Sequence, residues 1–238
     1  MQRVPVVIDA RFNGPPHSGH GGYSCGCAAA LVEAPAVEVT LRRPPPLDRP
    51  LEVRRDGDAV ALRDGEDVVA TARPAELAVA GPPPVGLDAA AAAAERFAWH
   101  ETHPFPGCFG CGPARDPADA LCLYTGPVGD GRFAVPWTPA PWTGADGVVA
   151  PVFAWAALDC PSAAPFHREV GGALVLGRLT VALERPIAVG APHVIQSWAE
   201  GEDRRKRFTA VALFTAAGER LACGRAVWFE VPRPYAAA

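Results

Sequence analysis

Residues 37–53 read VEVTLRRPPPLDRPLEV, and residues 179–195 read LTVALERPIAVGAPHVI. The two stretches align without a gap at an offset of 142: Val39 matches Val181, Leu41 matches Leu183, Arg43 matches Arg185, Pro44 matches Pro186 and Pro50 matches Pro192. In the first copy Val37, Val39 and Leu41 share one face, with Glu38, Thr40 and Arg42 opposite. In the second, Leu179, Val181 and Leu183 share a face, with Thr180, Ala182 and Glu184 opposite. A period of two is that of a strand with one buried face. The Arg-Pro step ends each strand, because proline has no N–H to give a ladder. A second match, Asp64-Gly-Glu-Asp-Val-Val-Ala with Ala217-Gly-Glu-Arg-Leu-Ala-Cys, follows at an offset of 153 and places Gly65 and Gly218 in hairpin turns. The later hairpin is longer, with Glu200-Gly-Glu-Asp-Arg-Arg-Lys at its bend. Two ordered matches with the same turn chemistry point to an internal repeat.

Upstream of each repeated strand lies a small-residue segment with helical character: residues 22–32, GYSCGCAAALV, and residues 148–160, VVAPVFAWAALDC. Each half therefore reads as strand, helix and several antiparallel strands, an α+β arrangement of one helix wrapped by a curled sheet. The alanine-rich residues 87–97 predict a further helix, since alanine is the best helix former. The expected organisation is an N-terminal half, residues 1–86, a helical linker, residues 87–103, and a C-terminal half, residues 104–238.

Composition narrows the function classes. The 238 residues are 49% hydrophobic and 20% charged with a net charge of −4, which is ordinary for a globular chain and gives no general attraction to nucleic acid or an anionic membrane. No apolar run approaches the roughly 20 residues of a membrane span. Met1-Gln-Arg-Val-Pro lacks the charged-then-apolar order of a signal peptide. With seven cysteines, an odd number, the expectation is reduced thiols in a cytoplasmic protein.

The segment Cys108-Phe-Gly-Cys-Gly-Pro, followed by Asp116-Pro117 and Leu121, resembles the opening of hotdog-fold thioesterase-like proteins, although Ala120 stands where that pattern has glycine. Pro139-Ala-Pro-Trp-Thr-Gly leading to Ala157-Leu158-Asp159 resembles the helix of the same family, in which an acid lies nine residues after the histidine of His-Gly-Gly. The first half has His20-Gly21-Gly22 but Ala29 nine residues on; the second has Asp159 but Ala150, Pro151 and Val152 in place of His-Gly-Gly. The chain thus resembles a double hotdog, two fused repeats forming a pseudo-dimer of the acyl-CoA thioesterase type.

The resemblance implies one composite site. Gly21 and Gly22, with Tyr23, would present the unpartnered amides of a helix N-terminus to a thioester carbonyl. His20 would shape that end, Asn13 would position water or the carbonyl, and Asp159 from the other half would act as general base or nucleophile. The counterpart site, with Ala29 and Pro151, would be inactive. Leu176 falls where some relatives carry a hydroxyl. Arg204, Arg205 and Arg207 are the residues expected to hold the phosphates of coenzyme A, which enters as part of the substrate, no other cofactor being implied. Trp142 and Trp155 are either core residues or the lining of an acyl tunnel. Cys108 and Cys111 are half of a zinc motif, with His100 and His103 nearby. Without a second knuckle no metal is expected, nor a redox role without a thioredoxin-like context. The expected partner is an acyl-CoA-type small molecule, with homo-oligomers of double-hotdog units left open. A non-catalytic acyl-thioester binder of the same fold and an interaction protein stand as alternatives. A hotdog hydratase is disfavoured because Asp9 and His17 lie too far apart.

Overall fold

The structure, a computed structural model, describes residues 5–167 and 170–232. The signal-peptide reading of Met1–Val4 lies outside the described residues. In chain order the elements are β1 (Val6–Val7), α1 (Gly21–Ala29), β2 (Ala36–Leu41), β3 (Pro50–Asp56), β4 (Ala59–Asp64), β5 (Asp67–Pro74), α2 (Leu87–Ala94), β6 (Gly126–Gly129), β7 (Arg132–Trp137), β8 (Gly144–Ala145), β9 (Val148–Val149), α3 (Pro151–Ala163), β10 (Ala173–Leu183), β11 (His193–Asp203), β12 (Lys206–Thr215) and β13 (Arg220–Val231).

The two repeated strands are neighbours as well as equivalents. β2 pairs with β10 antiparallel, with Val39 opposite Leu179 and Val37 opposite Val181. All four are buried, as the alternation requires. On the opposite face Arg178 reaches the Thr40 hydroxyl at 3.2 Å and the Glu38 carboxylate at 3.4 Å. From this seam the strand order is β2-β5-β4-β3-β1 on one side and β10-β13-β12-β11-β7 on the other, with β6 as an extra edge. The same order therefore runs outward in both directions through one 11-stranded antiparallel sheet. Gly65 and Gly218, at φ +58° and +86°, occupy the two hairpin turns foreseen for them, a backbone region that costs glycine nothing.

α1 and α3 lie against each other under the sheet. Their approach depends on Gly22 and Gly26, one turn apart on α1. A Cβ on Gly22 would stand 2.5 Å from the Asp159 Cβ and 2.6 Å from the Trp155 carbonyl oxygen; one on Gly26 would stand 2.9 Å from the Val152 Cα. α1 starts and ends slightly earlier than the sequence pattern places it. α3 differs more. Expected over residues 148–160, it begins at Pro151, after the short strand β9, and runs on to Ala163 with Pro161 inside it, and a 3₁₀ turn continues over Ala164–Phe166. Burial explains this: every residue from Ala154 to Ala163 is buried, so packing outweighs the hydrogen bond that proline forfeits. Asp159 thus sits within the helix, not at its end.

α2 packs on the outside of the second set of strands, where Ala90 meets Ala134 and Val194. Gln196 ties the preceding segment down, accepting the Val85 N–H at 3.0 Å and donating to the Pro83 carbonyl at 3.3 Å. Among the described residues no helix is long and apolar enough to cross a membrane.

Candidate functional site

Where the N-terminus of α1 meets the third turn of α3, four polar groups converge in the core. The His20 side chain caps α1, its Nδ1 accepting the Tyr23 N–H at 3.2 Å, as N-cap side chains do. The Gly22 N–H donates to Asp159 Oδ2 at 2.6 Å. His20 Nε2 lies 3.3 Å from the same carboxylate oxygen and 3.2 Å from Cys160 Sγ. Asp159 Oδ1 is buried without a hydrogen-bond partner among the described residues. His20 is 1% exposed and Asp159 2%, so the pair is removed from bulk water.

The electrostatics follow from that removal. Burial pushes the Asp159 carboxyl up to about 6, although His20 and the Gly22 N–H both pull it down. Burial alone would depress His20, but Asp159 and Cys108 beside it outweigh burial and raise it. The cap sets the tautomer. Nδ1 can accept the Tyr23 N–H only while unprotonated, so the ring's proton resides on Nε2 and is directed at Asp159 and Cys160.

This centre forms part of the wall of a cavity of about 250 Å³. His20, Gly21 and Asp159 line it, with Leu176 of β10 pressed against Gly21; a Cβ on Gly21 would stand 3.0 Å from the Leu176 Cβ. Trp99, His103, His167 and Trp228 form much of the remaining wall. His167 stacks on Trp99 at a centroid distance of 3.8 Å, and burial lowers its pKa to about 3, which keeps the imidazole neutral. Arg42 and Arg43, just past β2, also line the cavity. Trp228 Nε1 donates to Ser162 Oγ at 3.0 Å, and Ser162 Oγ donates to the Asp159 carbonyl at 2.7 Å, so β13 braces the turn of α3 that carries the acid.

Of the residues singled out in the sequence, His20, Gly21, Gly22 and Asp159 come together, and Cys108, Cys111, His103 and Leu176 line the same cavity; Asn13, the β11–β12 arginines, Trp142, Trp155 and His100 do not. Asn13 lies nearby with its side chain engaged elsewhere: Nδ2 donates to the Gly107 carbonyl at 3.0 Å and Oδ1 accepts from Arg115 at 3.0 Å. It clamps the loop carrying Cys108 onto the loop before His20. Arg204, Arg205 and Arg207 lie at the β11–β12 turn and none lines the cavity; Arg207 is held by Glu230 at 3.0 Å and Glu202 at 3.4 Å. Trp142 and Trp155 do not line it either. Trp155 is core, and Trp142 lies under the Arg11 guanidinium at 4.5 Å. His100 packs on Phe97 and Tyr124 and does not line the cavity. The sequence reading missed Trp99, in the irregular segment after α2, and His167, in the turn after α3; neither carries a spacing signal. His103, named there beside the cysteines, also lines the cavity.

No protein-family profile and no curated protein matches the sequence. Solved structures do. A candidate thioesterase from Novosphingobium aromaticivorans is similar at 16% identity and a TM-score of 0.61, over 97% of this chain and 97% of that one. The tesB protein of Mycobacterium avium subsp. paratuberculosis is similar at 13% identity and a TM-score of 0.60, over 92% and 90%. The acyl-CoA thioesterase II TesB2 of Mycobacterium marinum is similar at 13% identity and a TM-score of 0.56, over 90% of both chains. These three neighbours carry thioesterase names, as the resemblance in the sequence implied, and at these identities the likeness is one of fold. A large antiparallel sheet with few helices fits a hotdog fold.

Proposed function

We propose that the chain is two fused hotdog repeats whose shared cavity takes an acyl-CoA-type thioester, and that Asp159 drives its hydrolysis. The observation that carries this is the meeting of Asp159, from one repeat, with the N-terminus of α1, from the other, in the wall of one cavity. The strand order mirrored about the β2–β10 seam supports the fused-repeat reading. In the reaction Asp159 Oδ2 stays anchored by the Gly22 N–H and His20 while Oδ1, which has no partner among the described residues, takes the proton of the attacking water. A carboxyl held near 6 is ionised at neutral pH and yet a stronger base than a surface aspartate. The Gly22 and Tyr23 amides are committed to Asp159 and His20, so Gly21 supplies the amide that faces the developing oxyanion. Arg42 and Arg43, rather than the arginines at the β11–β12 turn, are placed to meet the nucleotide phosphates.

The test is hydrolysis of a panel of acyl-CoAs. The expected kcat/KM rises with pH through an acid limb near 6, and Asp159→Asn loses about 10²-fold or more. Hydrolysis that survives this substitution sinks the mechanism. The commitment of two of the three helix amides favours one second reading, a non-catalytic acyl-thioester binder. Its signature is saturable binding of acyl-CoA by a wild-type protein that turns none over.

A further inference from the structure

Three cysteines that the proposed hydrolysis does not use stand in the same cavity wall. Cys108 and Cys111 belong to a tight turn in which the Gly112 N–H bonds the Cys108 carbonyl, and Cys160 follows Asp159 on α3. Cys108 Sγ lies 3.9 Å from Cys160 Sγ and 3.9 Å from Cys111 Sγ. Each outer sulfur is met by an imidazole: His20 Nε2 lies 3.2 Å from Cys160, and His103 Nε2 lies 3.2 Å from Cys111. The loop is pressed onto this group at Gly110, where a Cβ would stand 2.5 Å from both Cys160 Sγ and His20 Nε2. All three cysteines line the cavity, and none is more than 8% exposed.

The ligand atoms of His20, Cys108 and Cys160 lie within 4.8 Å of one another, a spacing within reach of one metal ion. The protonation pattern opposes that use. His20 Nδ1 accepts the Tyr23 N–H, and His103 Nδ1 accepts the Phe105 N–H at 2.9 Å. Both neutral rings therefore carry their proton on Nε2 and donate it toward sulfur, whereas a ligating histidine offers a bare nitrogen to the metal and donates from the other one. Two N–H donors aimed at a sulfur cluster stabilise negative charge on it. Hydrogen bonds from Cys111 and Cys160, aided by His20, hold the Cys108 thiol well below its usual range against its burial, while the same bonds push Cys111 and Cys160 up. The cluster thus favours negative charge, and Cys108, central and bonded to both neighbours, is the sulfur whose thiol gives up its proton most readily.

We propose that Cys108 and Cys160 form an oxidative modification site for small hydroperoxides that enter the cavity. The Cys108 thiolate attacks the hydrogen-bearing oxygen of the hydroperoxide, the O–O bond breaks, and the alkoxide (hydroxide, for hydrogen peroxide) released takes a proton from solvent, leaving Cys108 as a sulfenic acid. The Cys160 thiol, giving up its proton, attacks that sulfur. The S–O bond breaks, water leaves, and the disulfide forms; two thiols are oxidised and one peroxide is reduced. Closing the bond brings the sulfurs from 3.9 Å to about 2.05 Å, draws the turn of α3 beside Asp159 toward the loop, and takes from His20 its sulfur acceptor. Loss of thioester hydrolysis on oxidation rests on the function proposed above; the thiol chemistry does not.

The experiment treats the reduced full-length protein with hydrogen peroxide and maps its cysteines by peptide mass spectrometry. The expected product lacks two hydrogens in the peptides joined through Cys108 and Cys160 and is reversed by a dithiol. Cys160→Ser should leave a sulfenic acid on Cys108 that dimedone traps, and Cys108→Ser should form neither product. The half-buried Cys27 and Cys122 are internal references in the wild type, which needs no variant to fold, and Cys108 should react at least about tenfold faster than either. Faster reaction of the references, a disulfide mapped to Cys108–Cys111, or stoichiometric metal in the protein as isolated overturns the proposal. If the disulfide forms and no thioester is hydrolysed before or after, the functional reading fails alone. If hydrolysis depends on Asp159 and peroxide leaves the cluster untouched, this inference fails alone.

Discussion

Asp159→Asn should make the protein more stable relative to wild type as pH rises. The folded carboxyl titrates near 6 and the unfolded one near 3.8. Below both values the acid is protonated in either state and contributes no difference. Between them the unfolded chain has released a proton that the folded chain keeps, so unfolding releases protons and wild-type stability falls with rising pH. Above about 6 the full cost applies, roughly 3 kcal/mol at about 1.36 kcal/mol per pH unit. His20, raised by the same carboxylate, loses its contribution in the same direction as pH climbs through its folded pKa. Asparagine carries no proton to lose, and its carbonyl still accepts the Gly22 N–H. Urea denaturation of both proteins from about pH 4 to about pH 7 should show the difference moving by about 2 kcal/mol toward the variant, most of the full cost, other carboxylates cancelling. A difference constant across this window, or one that moves toward the wild type, would mean an ordinary or depressed carboxyl at 159. That outcome refutes the argument that burial has tuned this residue as a base.

Gly22→Ala should cost about 1–3 kcal/mol or more, because its Cβ would meet Asp159 and the Trp155 backbone inside van der Waals distance; Gly86→Ala, with nothing near its Cβ, is the control in thermal melts. Ser162→Ala should cost about 1–3 kcal/mol by leaving the buried Trp228 Nε1 unpaired, a loss readable by chemical denaturation. His20→Ala should move the acid limb of the kcat/KM profile above about 6, since the group that pulls the Asp159 pKa down is gone. An unmoved limb would show that His20 does not act on the carboxyl.

The alternation in residues 37–41 and 179–183 was enough to read two half-buried strands, and the paired offsets pointed to the repeat that the mirrored strand order supports. Nothing in one strand names its neighbour, so the hydrogen bonding of those two strands to each other was not legible. The composite site was readable in part because complementary losses, His20-Gly21-Gly22 without an acid and Asp159 without the glycines, suggest one site shared by two halves. The continuation of α3 through Pro161 was not readable, because local proline chemistry argues for a stop and only the burial of the following turn reverses it. The cysteine cluster was half visible. Cys108 and Cys111 stand in a motif, but Cys160 arrives by tertiary packing from 49 residues beyond Cys111. The placement of the arginines at the β11–β12 turn, away from the cavity lining, was not legible because a local run of charge carries no information about which cavity it faces.

The β2–β10 seam also bears on how the chain is made. Val39 and Leu179, opposite each other at the centre of the sheet, are separated by 140 residues of sequence. During synthesis β2 emerges early and its inner edge waits, unpaired, until β10 leaves the ribosome, which at about 5–20 residues per second is a delay on the order of ten seconds. Over that interval the nascent chain presents an apolar strand with an open ladder, the kind of edge on which two copies pair wrongly or a chaperone finds its grip.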